Sequence, residues 1–292
     1  MKNTIPTLIK GVPGADLLES YLASPYTSVK HSSYFQVYEE VFNKYREKPI
    51  TFVEIGVLDG GSLFMWRQFL GKSARIIGVD LNPDAKRWES EGFEIHIGSQ
   101  EDPDFWDKLF ETVGMVDVVL DDGGHSNSQQ IVTSHKVLPW IRDGGVLMVE
   151  DVHTSYMRDF GNPTKYSFIN YCKKTIDRIN SRSSVLPWMH EQPNLLRDTV
   201  YSCSFYESIA CFHVDRTKCF ISKPTNNHGI RPVSRDFRYE KYRIGIDRNQ
   251  IFLSLFRSTL LALARLISRI FFGRTKVLLE KISSWRMKKY FN

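Results

Sequence analysis

Cysteine is scarce and carries no pattern. The four that occur, Cys172, Cys203, Cys211 and Cys219, lie in the second half of the chain with no CxxC pair among them. That excludes a thiolate zinc module and a disulfide-stapled scaffold, and points to reduced thiols in a cytoplasmic protein. No charged-then-apolar leader opens the chain, so no secretory signal is read. The apolar runs near the C-terminus are broken by Arg257, Arg265 and Arg269 before reaching the ~20 residues that a spanning helix needs. Repeats and low-complexity tracts are also missing, which removes solenoid and disordered classes.

Basic charge is absent from most of the chain as well. The net charge is +6, but from Asn249 onward nine basic residues face the single acid Glu280, so the first 248 residues carry a net negative charge. A nucleic-acid groove in the body is therefore not expected. What remains is ordinary for a globular protein, with hydrophobic residues at 42% and charged residues at 25% of 292 residues.

Residues 1–32 are turn-rich, with Pro6, Gly11, Pro13, Gly14 and Pro25, and read as an irregular lead-in. Ser33 to Tyr45 places Tyr34, Val37, Tyr38, Val41, Phe42 and Tyr45 at three-and-four spacing, which predicts a helix with one aromatic packing face. Short apolar runs then alternate with helical stretches: Thr51–Val57, Ser62–Leu70, Arg75–Leu81, a stretch through Trp88, Phe93–Gly98, Pro103–Thr112, Val116–Asp121, Ser126–Trp140 and Gly145–Val152. This alternation predicts an α/β fold, a Rossmann-like, doubly wound and mostly parallel sheet. Val200–Tyr206 and Ser208–Val214 read as a C-terminal antiparallel hairpin, and 157–198 as a lid or substrate insert. The α/β body is thus 33–235, followed by a basic amphipathic helical tail at 236–292. Within the tail, residues 250–272 put Leu253, Phe256, Leu260, Leu263, Ile267, Ile270 and Phe271 along one side, suited to a peripheral membrane contact on the inner face or to packing on the body or on another subunit in a homo-oligomer.

In such sheets ligands sit beyond the carboxyl ends of the strands, so the residues after each run carry the argument. The first run ends in Glu54, Gly56, Gly60 and Ser62, a glycine-bearing turn opening a helix without GxGxxG spacing. The second ends at Asp80, a carboxylate able to accept bonds from two ribose hydroxyls, and the third at Ser99 and Gln100, polar groups suited to an adenine edge. Asp121, Asp122 and His125 end the fourth run in DDGGH, and Glu150 and Asp151 end the fifth. Strands about 5 Å apart let Asp122, Glu150 and Asp151 converge, and three close carboxylates favour a hard divalent cation, with Mg2+ the expectation. A cation holding two vicinal hydroxyls acidifies and orients them, and His125 is placed as the base. Asp121 also has the plainer role of bonding nearby backbone N–H groups, and His135 reads as a packing or surface residue. His153 and Tyr156, just past the acidic pair, are further candidate substrate contacts.

EIGVLDGGS, GVD, VLDDGGH and GGVLMVED together resemble the class I S-adenosylmethionine-dependent methyltransferases, and within them the metal-dependent macrolide-sugar O-methyltransferases of mycinamicin type. The resemblance spans roughly Ser33 to Val214, and the family's large N-terminal auxiliary domain has no room in this chain. It implies S-adenosylmethionine as cofactor, with Glu54 and Gly56 along its methionine part, Asp80 on the ribose, and Ser99 and Gln100 facing the adenine; Gly60, Ser62 and Asp121 fall in the same donor site. It further implies Asp122, Glu150 and Asp151 as metal ligands and His125 as general base. The activity implied is O-methylation of a sugar hydroxyl on a glycan, glycolipid or glycosylated natural product. A catechol-like or other small diol is the competing acceptor, and an inactive S-adenosylmethionine-binding scaffold the non-enzymatic reading. Oxygenase chemistry is disfavoured by the acidic trio, because a two-histidine, one-carboxylate set would be expected for it.

Overall fold

The computed structural model describes residues 14–161, 165–190, 192–230 and 287–291. Five runs rich in β-branched residues form β1 (Thr51–Ile55), β2 (Arg75–Asp80), β3 (Glu94–Ile97), β4 (Val116–Asp121) and β5 (Ile141–Val149). Every residue of β1 is buried, as expected for a strand covered on both faces. With β6 (Val200–Tyr206) and β7 (Ile209–Val214) they make one seven-stranded sheet in the order β3-β2-β1-β4-β5-β7-β6. β7 runs antiparallel to both β5 and β6, and the other pairings are parallel. The expected fold class is therefore present, hairpin included.

Register explains why the candidate residues meet. Ile55 is opposite both Val79 and Asp121, and Asp121 is opposite Val149. Four strands thus end at one level, and Gly56, Asp80, Asp122 and Glu150 emerge side by side. Strand order also reverses between β1 and β4, the crevice where this fold class binds ligands.

Helices cover both faces. α1 (Ala15–Leu22), α2 (Tyr34–Phe42) and α3 (Gly61–Leu70) pack one side through Leu17, Tyr38, Phe42 and Trp66. On the other, α4 (Pro103–Val113) and α5 (Asn127–Val137) contribute Trp106, Phe110 and Ile131. α5 starts beside the strand ends because Ser126 and Gln129 form a capping box: the Ser126 hydroxyl accepts from the Gln129 N–H at 3.3 Å, and the Gln129 Oε1 accepts from the Ser126 N–H at 3.1 Å.

Two expectations change. The lead-in is not irregular throughout, since α1 lies within it and buries Leu17 and Leu18. The 157–198 stretch, expected as a lid or substrate insert, contains α6 (Phe168–Asn180), whose Phe168, Tyr171 and Cys172 join the core. Its apolar residues sit at helical spacing but are diluted by polar neighbours. A short α7 (Leu195–Thr199) leads into β6.

At the far end of the chain, Met287 is buried in the core and the Phe291 ring lies 5.9 Å from that of Tyr171. The Tyr290 ring lies 4.9 Å from His135, which is therefore a packing residue. The amphipathic stretch 250–272 lies outside the described residues. Among the described residues no helix is long and apolar enough to cross a membrane, and all four cysteines are free thiols.

Candidate active site

At the strand ends lies a cavity of about 420 Å³. Gly56 at the end of β1, Ser62 at the start of α3, Asp80, Ser99, Gln100, Asp122, His125 and Asp151 all line it. Gly56 has φ +88°, and a Cβ there would stand 2.1 Å from the Asp122 carbonyl oxygen, so the close approach of β1 to the DDGGH loop requires glycine. Asp80 accepts from the Val57 N–H (2.8 Å), the Leu58 N–H (3.0 Å) and the Asn82 N–H (2.8 Å). A carboxylate offers about four lone-pair sites, so capacity remains for a hydroxyl ligand. Val29, Leu58 and Leu81 are exposed apolar side chains among the lining residues, giving an otherwise polar cavity flat apolar surface. Leu58, His125 and Asp151 all have positive φ, between 46° and 58°, strain that commonly concentrates where side chains must be aimed at a ligand.

The acidic end is more constrained than its sequence suggests. Tyr34 and Tyr38 lie four residues apart on one face of α2, and their hydroxyls reach into it. The Tyr34 hydroxyl donates to Asp151 Oδ1 at 2.6 Å, and the Tyr38 hydroxyl donates to Glu150 Oε1. Lys30 Nζ donates to Asp122 Oδ2 and to both oxygens of Glu150, at 3.2 and 3.3 Å. Only 1% of the Lys30 side chain is exposed. His125 Nε2 is 3.3 Å from Asp151 Oδ2 and 3.9 Å from Asp122 Oδ1. His153 bonds Ser208 through Nδ1.

Burial alone would strip the charge from Lys30, but Asp122 and Glu150 outweigh it and hold its pKa well above that of an ordinary lysine. Burial, then the charge of Asp122, pushes the Glu150 carboxyl up, opposed by Lys30 and Tyr38. Burial also raises Asp121 to about 6, against the bonds from Gln100 and Gly123.

Several residues expected at the ligand also bond within the chain itself. Glu54 is fully buried and turned from the cavity, accepting from the Ser62 hydroxyl at 2.9 Å and the Trp66 indole N–H at 3.0 Å, so its carboxyl faces α3 rather than a donor. Gly60 has φ +79° and packs on the Trp88 ring, where a Cβ would come within 2.3 Å. Asp121 accepts from Gln100 Nε2 at 2.9 Å and from the Gly123 N–H at 3.2 Å, the plainer of its two roles. Gln100 lines the cavity, and its Oε1 accepts from the Gly124 N–H at 2.8 Å, which ties it to the DDGGH loop. Glu150, His153 and Tyr156 are not among the lining residues. Lys30, Tyr34 and Tyr38 were not read from sequence as site residues.

A divalent ion fits part of this arrangement. One donor atom from each of Asp122, His125 and Asp151 lies within 4.8 Å of the others, whereas Glu150 is not in that grouping. His31, Asp151 and His153 make a second grouping at the same spacing, sharing Asp151.

Residues 53–152 match the model of a methyltransferase domain family. The chain is 28% identical over 244 residues to demethylmacrocin O-methyltransferase of Streptomyces fradiae, covering 79% of this chain and 60% of that protein. It is 30% identical over 214 residues to mycinamicin VI 2''-O-methyltransferase of Micromonospora griseorubida, covering 68% and 51%. The chain thus spans about half to three fifths of these relatives. Among solved structures, MycE methyltransferase from the mycinamycin biosynthetic pathway in complex with Mg and SAH superposes with a TM-score of 0.58 at 25% identity, covering 70% of this chain and 55% of that one. The chain accordingly resembles the class I S-adenosylmethionine-dependent methyltransferases, and within them the macrolide-sugar O-methyltransferases. The Mg and SAH of the MycE structure agree with the two cofactors expected from sequence.

Proposed function

We propose that this chain, with its methyltransferase domain at 53–152, transfers a methyl group from S-adenosylmethionine to a sugar hydroxyl of a glycan, glycolipid or glycosylated natural product, with help from a divalent metal. The observation that carries this reading is the continuity of one cavity, from Asp80 and Ser99 at its donor end to Asp122, His125 and Asp151 at its acceptor end. Donor and acceptor groups can therefore face one another in a single enclosure, which an in-line displacement requires.

Asp80 would take the ribose hydroxyls, while Leu58, Leu81 and Val29 offer apolar surface to the adenine. Asp122 and Asp151 would hold the ion, which lowers the pKa of a coordinated hydroxyl and fixes its direction. His125 would take the proton at Nε2, where Asp151 Oδ2, 3.3 Å away, stabilises the imidazolium that results. The hydroxyl oxygen then forms its bond to the methyl carbon as the sulfonium–carbon bond breaks, leaving neutral S-adenosylhomocysteine. His153 and Tyr156 are proposed acceptor contacts on the side of Asp151.

Relatives whose names state a glycosylated substrate, such as the 8-demethyl-8-alpha-L-rhamnosyl tetracenomycin-C 2'-O-methyltransferase of Streptomyces olivaceus, support a sugar acceptor over a catechol. Incubation with methyl-labelled S-adenosylmethionine, Mg2+ and a panel of glycosides, lipid-linked glycans and catechols tests the choice. Label recovered in a glycoside or glycan supports the reading, and label recovered only in catechols overturns it.

A further inference from the structure

A second cavity, of about 300 Å³, lies against α6, and Lys165, Lys173, Lys174 and Lys288 line it. Lys173, Lys174 and Asp177 follow three-and-four spacing, which places them on one face of the helix, opposite the buried Phe168, Tyr171 and Cys172. Asp177 is the acid that stands against these four lysines in the lining, and none of the four is in an ion pair with another described residue. Crowding like charges without partners costs free energy that an anion would relieve. The excess is local, because the first 248 residues carry a net negative charge.

The positive region continues past the cavity. Lys289 follows Lys288 and lies over the Tyr290 ring at 4.9 Å, and that ring packs on His135. Burial first, then the positive charges of Lys136 and Lys289, lowers the pKa of His135.

Two observations choose the partner. Tyr166 and Phe291, with ring centroids 5.1 Å apart, line the same cavity, so the ammonium groups flank aromatic surface. The sequence that leads into Met287 has the same character: from Asn249 to Arg286 seven basic residues face the single acid Glu280, and residues 250–272 carry apolar side chains at helical spacing. A soluble phosphate would use the charge alone. A bilayer with anionic headgroups uses both, with ammonium groups at the level of the phosphates and aromatic rings at the boundary with the acyl chains.

We propose that the lysine-lined face formed by α6 and residues 288–291 is a contact surface for a bilayer carrying anionic headgroups, used together with the basic sequence that precedes Met287. Nothing in this depends on the methyl-transfer reading, since no residue of the strand-end cavity takes part.

Flotation of the full chain with vesicles tests it, one set of phosphatidylcholine alone and one of equal parts phosphatidylcholine and phosphatidylglycerol. The chain should be retained on the anionic vesicles and not on the neutral ones, with retention falling as salt shortens the screening length below the ~10 Å of 0.1 M. A lysine close to an anionic surface is worth about fivefold in partitioning, so Lys173→Gln with Lys288→Gln should weaken it by roughly thirtyfold. Lys48→Gln with Lys72→Gln removes the same charge at exposed residues that line none of this cavity, and should change partitioning by less than about threefold. Circular dichroism checks that both variants are folded, and if the first is not, Lys165→Gln with Lys173→Gln replaces it. Equal retention on the two vesicle types, or no retention of the wild-type chain, overturns the proposal. Equal losses in the two variants also overturn it and assign the contact to the preceding sequence alone. Release by inorganic phosphate beyond that by chloride at the same ionic strength overturns it in favour of a soluble phosphate ligand.

Discussion

Replacing Glu54 with glutamine should make the protein more stable at pH 8 and change its stability little at pH 4. Glu54 is fully buried between the Ser62 hydroxyl and the Trp66 indole. Burial, opposed by Lys30 and reinforced by Asp122, raises its pKa from 4.5 to about 7. The folded state therefore holds this proton more tightly than the unfolded chain does. Stability from this group is fully present below pH 4.5, declines as pH rises through about 7, and stays low above it. The difference corresponds to about 3 kcal/mol at pH 8, an order-of-magnitude figure that needs little discount for solvent because the group is buried. Glutamine keeps both contacts if its Oε1 accepts from Trp66 and its amide donates to the Ser62 oxygen, yet it has no charge to desolvate. Urea unfolding of both proteins at pH 5 and pH 8 is the assay. The advantage of the variant should grow with pH across that interval. An equal difference at both pH values, or a variant less stable at pH 8, would refute the reasoning.

Other sites give further expectations. Asp80→Ala should weaken S-adenosylhomocysteine binding by the loss of charge-assisted bonds, each about 1.5–3 kcal/mol, measurable by calorimetry; unchanged affinity would remove Asp80 from the donor site. His125→Ala should lower kcat by about 10²–10⁴-fold with a smaller change in acceptor KM, as expected for a lost base, and steady-state kinetics distinguishes this from lost binding. Gly56→Ala forces a side chain against the Asp122 carbonyl at an unfavourable φ, so its melting temperature should fall and its donor binding weaken together.

What could be read from sequence was local. Apolar runs ending in glycine or aspartate marked β1, β2 and β4 and their turns, because strand burial and turn chemistry are written in adjacent residues. Which way each strand-end side chain points was not legible. Glu54 and Gly56 are two residues apart, yet one faces α3 and the other the cavity, and Gln100 is tied to Gly124. Lys30 escaped detection because its partners lie 92 and 120 residues away, and nothing near it in sequence anticipates them. Tyr34 and Tyr38 were correctly placed on a packing face of a helix. Their rings do pack, but their hydroxyls reach past the core to Asp151 and Glu150, a dual use that periodicity alone does not reveal.

The central claim, metal-assisted methyl transfer to a sugar hydroxyl, is tested most directly by chelation and restoration. The protein is stripped with excess chelator, then given labelled S-adenosylmethionine and an acceptor glycoside with and without added Mg2+. Label should appear in the sugar only when Mg2+ is restored, while S-adenosylhomocysteine binding is nearly the same in both conditions. Full transfer in excess chelator would contradict the account.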